Sequence, residues 1–390
     1  MLYQCHSTKM TQIIEEVINL LKNKNDKILT AQIAPAVRVA IGEYMGYEAG
    51  TNVIKSLIGA LKSIGFDYVF DTNFGADITV MEEAAELVKR IKNNEKLPMF
   101  TTCCPTWYTY VERLYPELIP HLSTVKSPQA ILGSIVKTYF AEKMQIPLDK
   151  LVHVVFAPCE MKKEEAVKKD LWVNPEIPNI DYVLTTKEAA EMFKRLAVDL
   201  KKVPQSDFDN PLGHSSGAGA IFGTTGGVME AVVRTAYFLL TGKNLKKYEI
   251  AGIRNTEFKR EGCLTIAGNK LNILTVNSLA EINPVLNELK QKGKSKYHFI
   301  EVMNCPMGCI GGTGQFTTDK EILAKRRQAL FEYDKGHFYR AAHQNEYVKQ
   351  IYKEFLGRLG SKKARALLHT KYVDKSAEDA ENFTCEFTPK

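Results

Sequence analysis

Apolar positions along this chain switch repeatedly between a helical and an extended period. Ile13, Val17, Leu20 and Leu21 recur at helical spacing, with Ser7 or Thr11 as possible caps. A short apolar run from Ile28 to Ile33 then reads as a strand. Val53, Leu57, Ile58 and Leu61 mark a second helix, and strand-like runs follow at Tyr68 to Phe70 and Pro98 to Thr101. A long helical pattern from Pro128 to Lys143 leads into a strong strand at Leu151 to Phe156. Further strands are predicted at Tyr182 to Leu184, Asn272 to Val276 and His298 to Val302, with helices at Glu188 to Ala197 and Gly227 to Leu240. This alternation predicts an α/β fold with twisted, mainly parallel sheets flanked by helices. Two lobes are expected, over residues 1–135 and 136–320, with a site in the cleft between them. Residues 321–390 read instead as helical segments without a strand, around Ile322 to Tyr333, Glu346 to Leu356 and Lys363 to Leu368. They are expected to wrap the body. The polar, glycine-rich stretch from Gln205 to Gly219 reads as a loop that is flexible or lines a site.

Composition narrows the class. With 390 residues, 45% hydrophobic and 25% charged, the chain is long enough for two lobes and ordinary for a globular protein. No apolar run approaches the ~18 residues of a membrane span, and Met1 to Met10 lack a secretory apolar core, so a cytoplasmic location is expected. The net charge of +7 is modest, and no module of interleaved aromatic and basic residues points to nucleic acid.

The eight cysteines change the picture most. In a long intracellular chain, grouped cysteines point to metal or catalysis before disulfides. Cys103 and Cys104 follow the strand at Pro98 to Thr101. Cys159 follows the strand ending at Phe156. Cys305 and Cys309 follow the strand ending at Val302. Ligands gather at the carboxyl ends of strands in open α/β sheets, so five thiols are placed to meet in one crevice. Four thiolates suit an iron–sulfur cubane. Zinc also takes four, but usually from two close pairs, and here only the C-x3-C pair Cys305/Cys309 is close. Buried cysteines acting as plain hydrophobes remain a third reading. Gly308, Gly311, Gly312 and Gly314 surround Cys309, where bare backbone either approaches a cofactor or simply turns.

The segments Thr101-Thr102-Cys103-Cys104-Pro105, Ala157-Pro158-Cys159-Glu160-Met161-Lys162-Lys163 and Glu301-Val302-Met303-Asn304-Cys305-Pro306-Met307-Gly308-Cys309 resemble, in order, the three signature motifs of FeFe-hydrogenases. Asp71 to Asp77, Ser216 to Gly223 and the tail Arg327 to Tyr372 are also similar to family sequence. The resemblance implies an H-cluster domain without the family's accessory iron–sulfur domains. Cys104, Cys159, Cys305 and Cys309 would hold a 4Fe–4S cluster. Cys309 would bridge to a diiron subsite carrying CO, cyanide and an azadithiolate. Lys162 would donate to a cyanide, and Pro35, Ser127, Gln129, Met303, Phe222, Gly223 and Ala157 would line its pocket. Cys103 would pass protons to the bridgehead amine, fed through Glu83, Glu86, Ser123 and Arg90. Taken alone, Glu83, Glu86 and Arg90 read as an ordinary ion-paired helix surface.

Three positions depart from the family pattern. Ala157 stands where methionine is usual and Ala36 where serine is commoner. Thr313 interrupts a glycine run, and a β-branched residue there disfavours positive φ. The implied activity is reversible reduction of protons to H2, with ferredoxin or flavodoxin as electron donor and hydrogenase maturases supplying the diiron part. An H2 sensor of low turnover and a non-catalytic iron–sulfur assembly protein are the competing readings. The basic runs Lys325, Arg326, Arg327 and Lys362, Lys363, Arg365 are either solvated helix faces or a landing patch for an acidic partner. Cys5, Cys263 and Cys385 carry no expected cofactor role.

Overall fold

The apolar run Ile28–Ile33 forms strand β1, buried along nearly its whole length because it lies inside a sheet covered on both faces. The computed structural model describes residues 2–210, 212–254, 257–266 and 268–377. Cys385 lies outside them, and so do the side chains of Cys5, Ser7 and Thr11. The backbone of the first helix, Leu2–Lys22, begins before both expected caps. Strands β2 (Tyr68–Asp71), β4 (Leu151–Ala157) and β5 (Tyr182–Thr185) join β1 in the order β2-β1-β4-β5, all parallel. A second sheet runs β3-β8-β7-β6, from β3 (Met99–Phe100), β8 (Phe299–Val302), β7 (Asn269–Val276) and β6 (Lys259–Ile266). Its β3, β8 and β7 are parallel, while β6 and β7 form an antiparallel hairpin.

Sequence periodicity did not single out β6. The segment is rich in charge and alternates between exposed and buried positions, as an edge strand with one wet face does. The expected division at residue 136 cuts across both sheets. β3 precedes it but pairs with β8, and β4 follows it but pairs with β1. Parallel pairing requires crossovers, so strands close in sequence separate and distant ones meet.

Helix Thr72–Asn93 runs between the sheets, largely buried. Asp71 caps it by accepting from the Asn73 N–H at 2.9 Å, and Asn94 ends it in the left-handed region. It lies so close to helix Pro128–Ile135 that a Cβ on Gly75 would sit 2.4 Å from the Pro128 carbonyl oxygen. The latter helix continues through a π-helical turn, Val136–Phe140, to Ala141–Met144, covering the predicted span. Part of the glycine-rich loop is firmly held. The Ser216 N–H and hydroxyl donate to Asp77 at 2.6 and 2.5 Å, and Ser215 donates to Asp71 at 3.0 Å.

Among its described residues the tail wraps the body as helices Lys320–Gly336, Glu346–Ile351 (extended by a π-helical turn, Tyr352–Leu356) and Lys362–Leu368, with a 3-10 turn at Ala342–Gln344. Asp334 fastens it by accepting from Arg234 at 2.8 Å and 2.9 Å and from Arg340 at 2.8 Å. Arg326 is not on a solvated face. It is fully buried, pairs with Glu43 at 2.5 Å and donates to the Ile310 carbonyl at 2.7 Å. Lys362, Lys363 and Arg365 do face solvent. No helix among the described residues is long and apolar enough to cross a membrane.

Candidate active site

Each cysteine segment leaves the carboxyl end of a strand. Cys103 and Cys104 lie just beyond β3, and Cys104 is the N-cap of helix Pro105–Leu114. Cys159 lies two residues beyond β4, and Cys305 three beyond β8. The two sheets therefore contribute to one crevice. Cys305 is raised by burial first and then by Cys104, Cys159 and Cys309, and Cys309 is raised by burial and then by Cys104 and Cys159, up to about 12, which places the four thiols near one another. The peptide N–H groups of Trp107 and Asn304 at Cys104, and of Thr313 at Cys305, offset part of the rise that burial imposes on both thiols.

Between Cys305 and Cys309 the chain turns through left-handed Met307 (φ 56°) and Gly308 (φ 96°). A Cβ on Gly308 would lie 2.6 Å from the Thr225 nitrogen, so only glycine fits this turn. Thr313 is not among the residues with positive φ. The expected backbone conflict at this β-branched residue is therefore absent. Its hydroxyl accepts from the Glu160 N–H at 3.2 Å and reaches the Cys159 sulfur at 3.7 Å.

Beside Cys309 and Cys103 lies a mostly apolar cavity of about 60 Å³. Pro35, Gln129, Ala157, Lys162, Phe222, Gly223 and Met303 all line it, as does Ala36. Ser127 does not; it stands behind, donating to Glu165 at 2.7 Å. Glu165 also accepts from Lys162 at 2.8 Å and from Gln129 at 3.2 Å. Burial opposes the Lys162 charge, but Glu165 outweighs it and holds the ammonium protonated. The same ammonium donates to the Cys103 carbonyl at 3.1 Å, fixing the backbone of the half-buried thiol. Glu165 was missed in the sequence, although it lies three residues after Lys162 on one short helix.

A line of acids leads from Cys103 outward. Glu83 and Glu86 share a face of helix Thr72–Asn93, with Ser123 next to both. Burial first, and the Glu86 charge second, push Glu83 up to about 8. Ser123 lies beside Glu83, and its hydroxyl donates to Glu86 at 3.1 Å. Glu86 is held by Arg90 at 2.6 Å and borders an open surface cavity of about 520 Å³. Arg90 is not a surface residue. It is 6% exposed and also donates to the carbonyls of Lys96, Pro120, His121 and Leu122. Glu301, likewise missed, is buried among the apolar residues of β8. It accepts from the N–H groups of Gly226 at 2.6 Å and Met229 at 2.7 Å, and burial raises it to about 7.

Among the described residues no group of three Cys, His, Asp or Glu side chains is placed to hold a single ion. A cubane asks instead for four thiolates, each on its own iron. The adjoining cavity, lined mostly by apolar side chains, presents the Lys162 ammonium and so fits a compact anionic group.

Residues 27–313 match the model of the iron only hydrogenase large subunit, C-terminal domain, and residues 320–375 match the iron hydrogenase small subunit. The chain belongs to the iron-only, or FeFe, hydrogenase family. It is 43% identical over 373 residues to the NADP-reducing hydrogenase subunit HndD of Solidesulfovibrio fructosivorans, covering 93% of this chain and 63% of that relative. The chain thus spans less than two thirds of the length of this relative. An apo FeFe-hydrogenase HydA1 structure from Chlamydomonas reinhardtii superimposes with a TM-score of 0.81 at 37% identity, covering 93% of this chain and 98% of the other. The chain is also 30% identical to the cytosolic Fe-S cluster assembly factor narfl of Danio rerio, covering 93% of this chain and 92% of the relative.

Proposed function

We propose that this chain interconverts protons and H2, with Cys104, Cys159, Cys305 and Cys309 holding a 4Fe–4S cluster and the adjoining cavity holding a diiron subsite with CO, cyanide and azadithiolate ligands. When bound, that group supplies the redox chemistry of H2. The rest belongs to the chain. Lys162 gives a charge-assisted hydrogen bond to an anionic ligand, with Glu165 fixing its position. Pro35, Ala157, Phe222, Gly223 and Met303 exclude water from the cavity. Cys103 delivers a proton at its sulfur and recovers it through Glu83, Ser123 and Glu86, one donor at a time. Arg90 keeps Glu86 pointed at Ser123.

The observation that carries this reading is the acid line itself. Cluster binding alone has no use for a buried, protonated carboxylic acid between a thiol and a surface cavity. Electrons would enter from a ferredoxin or flavodoxin, and maturases would supply the diiron part. The similarity to an assembly factor keeps a non-catalytic cluster protein as the second reading.

The test is anaerobic loading with the 4Fe–4S cluster and a synthetic diiron complex, then H2 evolution from a reduced viologen. The expected result is rapid evolution, lost by about 10²-fold or more in Cys103→Ala. Negligible evolution from protein whose infrared spectrum shows bound CO and cyanide would overturn the catalytic reading and favour a sensor. Refusal of the diiron complex would favour the assembly reading.

A further inference from the structure

Thr313 sits on the solvent side of the thiol crevice, touching two of the four proposed cluster ligands. Its peptide N–H lies near the Cys305 sulfur and partly offsets the rise that burial imposes on that thiol. Its hydroxyl oxygen accepts from the Glu160 N–H at 3.2 Å. With that lone pair engaged, the hydroxyl hydrogen is left to point at the Cys159 sulfur, 3.7 Å away. The Gly314 N–H donates to the Pro158 carbonyl at 2.9 Å, zipping the Thr313 segment against the Cys159 loop. Thr313 is exposed, and Cys159 beside it is partly exposed.

We propose that Thr313 is a positioning residue for electron entry, whose hydroxyl raises the reduction potential of the 4Fe–4S cluster by hydrogen-bonding the Cys159 thiolate. The inference rests on the proposed cluster ligands. One-electron reduction by an external low-potential donor makes the thiolate-ligated cluster one charge more negative, with no bond or proton exchanged. The added charge spreads onto the sulfurs. A hydrogen bond to a sulfur therefore stabilises the reduced form more than the oxidised form, which is how such bonds set cluster potentials. Valine at this position keeps the shape and the N–H but removes the hydroxyl. Serine keeps the hydroxyl.

The experiment uses the full chain carrying only its 4Fe–4S cluster. Its midpoint potential is followed by electron paramagnetic resonance of the reduced cluster. In Thr313→Val the reduction equilibrium constant is expected to fall by up to about tenfold, equivalent to about 59 mV for one electron. Thr313→Ser is expected to stay near the parent. An unchanged potential in Thr313→Val overturns the proposal, as does a Thr313→Ser shift equal to that of valine, which would mark a steric effect. If Thr313→Val cannot hold a cluster, Thr313→Gly carries the same comparison. Failure of the parent chain itself to bind iron would overturn the ligand assignment, a result distinct from a cluster whose potential ignores residue 313.

Discussion

Glu83→Gln separates the acid's thermodynamic role from its place in the fold. Glutamine has nearly the same shape and cannot ionise. In the native chain Glu83 is pushed from 4.5 to about 8, chiefly by burial, so its native form binds a proton that the unfolded form releases. Stability then falls as pH rises between those two values. Each unit is worth about 1.36 kcal/mol. Between pH 5 and pH 7.5 the unfolded carboxyl ionises while the native one largely does not. Relative to the parent, Glu83→Gln should therefore gain about 3 kcal/mol over this interval. Urea denaturation of the apo-protein at several pH values reads the difference directly. The same substitution should cost about 10²-fold or more in H2 evolution by the loaded enzyme, because an amide does not relay a proton. A stability gap between variant and parent that does not change with pH would refute the assignment of a protonated, buried acid.

Three further outcomes follow from the same structure. Lys162→Met strands Glu165 in a buried site and should cost about 3 kcal/mol or more, whereas Lys162→Met with Glu165→Gln should recover much of it; chemical denaturation of the pair and the singles checks this. Asp334 is lowered from 3.8 to about 2, because Arg234 and Arg340 outweigh its burial, so its stabilisation is present above 3.8 and lost as pH falls through about 2. Asp334→Asn should remove about 2 kcal/mol at neutral pH and flatten the acid limb of the unfolding curve. Gly308→Ala introduces a Cβ 2.6 Å from the Thr225 nitrogen at φ 96° and should sharply reduce iron uptake, measured as iron per chain, because the turn carrying Cys305 and Cys309 cannot keep its path.

Local pattern carried far because the elements are locally consistent. Seven of the eight strands announced themselves as apolar runs, and the long helix from Pro128 was read nearly to its end. The cysteine segments were readable for the same reason: each follows a recognisable strand, and strand ends are where α/β sheets gather ligands. β6 escaped because an edge strand with one wet face leaves little apolar signal. Arg326 was read as surface charge, and Arg90 taken without the resemblance reads as a helix-surface ion pair, because periodicity reports a helix face, not what lies opposite it. Their partners, the loop carbonyls at Pro120 to Leu122 and Glu43, are remote in sequence.

By itself, then, the order of residues determined the α/β alternation, the helical tail, the family motifs and the thiols available to a cluster. Tertiary structure alone decided which strands share a sheet, that Ser123 donates to Glu86, that Glu165 anchors Lys162, and that Thr313 reaches Cys159. The physical reason is distance along the chain. Periodicity and capping act within a few residues, whereas parallel crossovers and buried charge pairs join segments tens to hundreds of positions apart, and only the folded chain brings them within hydrogen-bonding reach.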